Sequence, residues 1–109
     1  RKTNLLEIYN MLIHTVIFWL KKDLPDEDLT YFKDELGSLE KISTVEQMFI
    51  GRPSATAKRP VIDDSYDFCL TVALKDLAAH NVYQEDPLHL AFIENCSHMW
   101  ERVKIYDAD

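Results

Sequence analysis

The sequence predicts an α+β fold, in which an antiparallel sheet carries its helices on one face. Two observations predict it. Four short segments rich in β-branched and aromatic residues are separated by helical periodicity or turn residues, in the order β-α-β-β-α(α)-β. The first of them, "LIHTVIFWL" at Leu12–Leu20, is apolar on both alternating faces, the pattern of a strand covered on both sides.

The elements follow in chain order. In the first strand Leu12, His14, Val16, Phe18 and Leu20 share one face, and Ile13, Thr15, Ile17 and Trp19 share the other. In so short a chain its own helices cover one face, and a second subunit is expected to cover the other. Pro25 with Asp26, Glu27 and Asp28 opens a helix, the carboxylates lying against the positive end of its dipole. Leu29, Phe32, Leu36 and Leu39 form one amphipathic stripe, and Gly37 weakens the C-terminal half. Thr44–Gly51 reads as a second strand, 52–65 as a long polar loop, and Tyr66–Lys75 as a third strand with Phe68, Leu70, Val72 and Leu74 on one face. Asp76 caps a short helix through about Gln84. Asp86-Pro87 opens another that reaches about Trp100, and Glu101–Tyr106 closes the chain as a fourth strand. This order is the ferredoxin-like arrangement.

The chain of 109 residues is the size of one domain, and its 47% apolar and 28% charged content is that of a folded globular protein. A net charge of −7 argues against nucleic acid, whose phosphates call for a basic stripe. The apolar run at Leu12–Leu20 is about half a membrane span and is followed by Lys21-Lys22-Asp23, so neither a membrane helix nor a signal peptide is expected. Cys69 and Cys96 lie in apolar segments and read as buried thiols in a reducing, cytoplasmic setting, with a disulfide between them left open. The domain is expected at 11–107, with residues 1–10 as an extension.

The stretch "YQEDPLHLAF" (Tyr83–Phe92) concentrates what chemistry the sequence offers. Asp86 and Pro87 are a helix start, which puts His89 in the first turn, where the helix dipole favours neutral imidazole. His89 also shares a stripe with Phe92, Ile93, Cys96 and Trp100. It is therefore either a structural histidine or a neutral base in an apolar cleft with Tyr83 nearby. His14 carries the same ambiguity. His89 and His98, nine residues apart, point to opposite sides of a helix and share no metal. His80 has no helical partner for one. With no phosphate-cradling loop, nucleophile elbow or activated Cys, neither a metal nor a cofactor is expected.

Five segments together carry a resemblance: "IHTVIFWLK", "GRPS", "YDFCLTVAL", "YQEDPLHLAF" and "VKIYD". From Met11 to about Asp107 the chain resembles the stress-responsive A/B barrel (Dabb) domain of the dimeric α+β barrel superfamily. The frame Tyr-x-x-x-Pro-x-His-x-x-Phe, met by Tyr83, Pro87, His89 and Phe92, is its most specific part. The resemblance implies a homodimer whose two sheets face each other, with a cleft in each protomer between sheet and helices. A plant branch of the family works as cofactor-free polyketide cyclases. By position, the base of that chemistry falls on His89, the substrate-orienting hydroxyl on Tyr83, and a further cleft histidine on His14. Phe68, Asp86 and Phe92 are expected to line the same cleft. Asp86 stands where the motif more often has His, and Phe68 where the plant cyclases have His, which implies a different ligand. Two functions follow as expectations. One is a stress-responsive or small-ligand-binding homodimer with an apolar cleft for an apolar, phenolic or carbonyl compound and no reaction, and the other a cofactor-free lyase, cyclase or isomerase.

Overall fold

The computed structural model describes residues 10–109, so the extension read at residues 1–10 lies, apart from Asn10, outside the described residues. The described elements are β1 (Leu12–Leu20), α1 (Asp26–Gly37), a 3₁₀ turn (Ser38–Lys41), β2 (Val45–Gly51), β3 (Phe68–Leu74), α2 (Leu77–Glu85), α3 (Pro87–Cys96), a second 3₁₀ turn (Ser97–Met99) and β4 (Trp100–Ala108). The strands form one antiparallel sheet in the order β2-β3-β1-β4, and the fold is ferredoxin-like α+β.

The expected elements are present, with their ends moved for physical reasons. The third strand starts at Phe68 rather than Tyr66 because Asp67 is used as a clamp. Its N–H donates to Phe18 O at 2.9 Å, and its carboxylate accepts from Leu20 N–H at 2.7 Å, tying off the end of β1. The last helix stops at Cys96 and the last strand begins at Trp100, earlier than the sequence suggests. Trp100 pairs with Leu20 across a bulge, and Lys21 N–H donates to Met99 O at 2.9 Å, so sheet pairing takes over the end of the helical pattern. Asp76 accepts from Ala79 N–H at 2.8 Å and Asp86 from Leu88 N–H at 2.8 Å, so both predicted caps are made.

The helices cover one face of the sheet. Leu12, His14, Val16, Phe18 and Leu20 of β1 are all buried against them, as period-two alternation requires. Phe32 of α1 is fully buried and stands at the centre of an aromatic cluster. Its ring centroid lies 5.2 Å from Phe18, 5.4 Å from Phe68, 5.7 Å from Phe92 and 6.4 Å from Trp100. Cys96 is buried in this core, and burial pushes its thiol up to about 11; Cys69 is partly buried on the other side of the sheet, and both are free.

The opposite face of the sheet carries Ile13, Thr15, Ile17 and Trp19 of β1 beside Phe49 of β2 and Arg102, Lys104 and Tyr106 of β4. Phe49 is 64% exposed and Tyr106 56%, apolar area that none of the described helices covers. No helix among the described residues is long and apolar enough to cross a membrane.

Candidate functional site

A cleft opens between the helices and the β1–β4 side of the sheet, with about 120 Å³ of internal space. His14, Tyr83 and His89 bring its polar groups, and Val16, Leu70, Phe92 and Val103 are among its apolar walls. A cavity of about 150 Å³ is enough for benzene. With the cleft also open to solvent on one side, this space suits a ligand of about one aromatic ring and its substituent, smaller than a polyketide chain.

Each polar group is held by the local fold. Asp86 and Pro87 break the chain between α2 and α3, and the turn brings the Tyr83 and His89 rings to 5.0 Å. His89 Nδ1 lies 3.0 Å from the Gln84 carbonyl oxygen. A carbonyl only accepts, so Nδ1 carries the proton and Nε2 keeps the lone pair. Burial lowers the His89 pKa, and the nearby His14 and His80 lower it further; the bond to Gln84 opposes them only in part. His89 is thus a neutral imidazole with a free basic nitrogen at neutral pH.

That shift has a measurable sign. A histidine whose folded pKa lies below the unfolded value of about 6.5 favours folding fully above that pH. The contribution is lost as pH falls from there through the lowered folded value. Melting temperature is therefore expected to drop between pH 7 and pH 5 by more in the wild type than in His89→Gln. Parallel pH profiles would show that His89 is not held neutral.

Tyr83 is fully buried, and burial raises its pKa far above the ordinary value of 10, so its hydroxyl is a donor at any physiological pH. Among the described residues nothing pairs with that hydroxyl. His14 is 2% exposed and donates from Nδ1 to Asp107 Oδ1 at 2.5 Å. The contact follows from register, because His14 and Asp107 are directly opposed across the β1–β4 ladder.

Of the residues singled out from sequence, His14, Tyr83, His89 and Phe92 line the cleft together. Phe68 and Asp86 are not among its lining residues. Phe68 is committed to the core against Phe32, and the Asp86 carboxylate is occupied in capping α3. Sequence reasoning missed His80 and Asp107. His80 lies one helical turn before Tyr83, on the same side of α2, and its ring centroid is 5.2 Å from that of His14. Its partners come from strands, so a search for a helical partner passes over it. The available signal was the spacing His80-x-x-Tyr83.

The family model for the stress-responsive A/B barrel domain (Dabb) matches residues 12–109. Among solved structures, the chain is similar to a Dabb family protein with a ferredoxin-like fold from Mesorhizobium loti. Identity is 28%, the TM-score is 0.73, and the match covers 91% of this chain and 95% of that one. A dimeric ferredoxin-like protein of unknown function from Thermobifida fusca is similar at 19% identity and a TM-score of 0.73, covering 99% and 98%. The hydroxynitrile lyase of Passiflora edulis is similar at 16% identity and a TM-score of 0.76, covering 91% and 92%. No curated protein sequence matches the chain.

Proposed function

Since this chain belongs to the stress-responsive A/B barrel domain (Dabb) family, we propose that it is a cytoplasmic homodimer whose protomers each bind a small, mostly apolar ligand bearing a carbonyl or phenolic oxygen. The observation that carries this reading is the Tyr83 hydroxyl: buried, protonated, lining an apolar cleft and without a partner among the described residues. A buried donor left unpaired costs about 1–3 kcal/mol. A ligand oxygen accepting from it recovers that cost, while the apolar walls take up the rest of the ligand. The dimer is supported by the exposed Phe49 and Tyr106 on the open sheet face, and by solved neighbours described as dimeric.

Proton transfer is a second reading, favoured by the free Nε2 of His89 within the same cleft. In it, His89 takes a proton next to a substrate carbonyl and Tyr83 donates to the enolate oxygen that develops.

The test is binding of benzaldehyde, acetophenone and small phenols by ligand-observed NMR, alongside sedimentation equilibrium. Saturable binding by a particle of two 12.8 kDa chains is expected. A stable monomer, or no binding at millimolar ligand, would overturn the reading. Acetophenone in D₂O separates the two versions. Loss of its methyl signal with wild type but not with His89→Ala marks proton transfer, and an unchanged signal leaves binding alone.

A further inference from the structure

We propose that His14, His80 and Asp107 form a binding site for one divalent late first-row transition ion, of the zinc class, at the His14 end of the cleft. The three residues come from β1, α2 and β4, and their candidate ligand atoms all lie within 4.8 Å of one another.

The direction of the hydrogen bonds carries the inference. His80 Nδ1 lies 3.2 Å from the Asn81 side-chain carbonyl oxygen. That oxygen only accepts, so Nδ1 holds the proton and Nε2 presents a lone pair. This is the arrangement by which an outer hydrogen bond sets a histidine up as a metal ligand. His80 Nε2 faces Asp107 Oδ2 at 4.0 Å, is itself buried, and has no hydrogen-bond partner among the described residues. Two electron-rich atoms thus face each other across a gap too wide for a hydrogen bond, and a cation between them turns repulsion into attraction.

The donor set fits. Two imidazoles and one carboxylate are a known zinc ligand set that leaves a fourth position open, and imidazole suits late transition ions over magnesium or calcium. Zinc–ligand bonds of about 2.0–2.1 Å place tetrahedral ligand atoms roughly 3.3 Å apart. The 2.5 Å contact between His14 and Asp107 must therefore open slightly and the 4.0 Å gap to His80 must close, both within reach of side-chain rotation. The ion takes the place of the proton on His14 Nδ1, so affinity falls as pH is lowered. The Asp107 side chain is 44% exposed, which gives the ion a way in.

The site needs no cleft ligand and is tested with metal alone. Chelator-treated protein is titrated with Zn²⁺ by calorimetry and with Co²⁺ by visible absorption. One ion per chain is expected, with ligand-field bands for the cobalt form. His80→Ala and Asp107→Asn are each expected to weaken binding about tenfold or more, with folding checked by circular dichroism. His98→Ala, at an exposed histidine outside the trio, is expected to change nothing. Absence of binding at micromolar ion, wild-type affinity in His80→Ala or Asp107→Asn, or a comparable loss in His98→Ala would overturn the site. So would a metal-free wild type whose His80 titrates by NMR as an imidazolium paired with Asp107, since a proton would then fill the gap. Cleft binding of phenols or acetophenone by these variants is read separately, so failure of the metal site leaves the ligand-binding reading untouched.

Discussion

Phe32→Ala is expected to remove about 3–5 kcal/mol of folding stability, the range for truncating a buried aromatic. Phe32 is fully buried, and its ring meets Phe18 of β1, Phe68 of β3, Phe92 of α3 and Trp100 of β4. Removing it empties the centre of the only layer between helices and sheet among the described elements. It also ends aromatic contacts that are each worth about 0.5–1.5 kcal/mol beyond area burial. Domains of this size are stable by about 5–15 kcal/mol in total, so the variant sits near the edge of folding. Urea denaturation checks it. A loss below about 1 kcal/mol would mean that the neighbouring rings collapse into the space, and that the cluster is not the keystone of the core.

The second large effect has opposite signs in stability and in binding. Tyr83→Phe removes a buried hydroxyl that no described residue pairs with, while keeping the ring that contacts His14 and His89. Relief of an unpaired buried donor is worth about 1–3 kcal/mol, so the melting temperature is expected to rise. Affinity for a carbonyl or phenolic ligand is expected to fall by roughly fivefold to a hundredfold, the equivalent of the about 1–3 kcal/mol that pairing the buried donor recovers. A substitution that stabilises the fold and weakens the site is the signature of a group kept for function at the expense of stability. A clear drop in melting temperature would instead show that the hydroxyl is satisfied within the folded protein, and the cleft would lose its donor.

Much of the fold was legible because its signals are local. Alternation along Leu12–Leu20 specifies which residues share a face, while the structure decides that the Leu12 face is the one the helices cover. Asp76 and the Asp86-Pro87 pair announce two helix starts through groups that bond within three residues of themselves. The same is true of Tyr83 and His89, which meet because a six-residue segment turns at Pro87. Local reasoning failed where two elements compete. The helical pattern continues through Ser97–Met99, but pairing with β1 claims Trp100 for the sheet.

Chain order, the grouping of β1 residues by face, the helix punctuation and the nearness of Tyr83 to His89 across Pro87 were legible in the sequence, because each rests on period, cap or turn chemistry within a few residues. Only the tertiary structure decided that Phe68 turns into the core and Asp86 is spent as a cap. It alone also joined His14 to Asp107, 93 residues away, and set His80 above them. Strand register and helix docking bring those groups together, and both depend on the burial of the whole apolar face, which no short stretch of sequence contains.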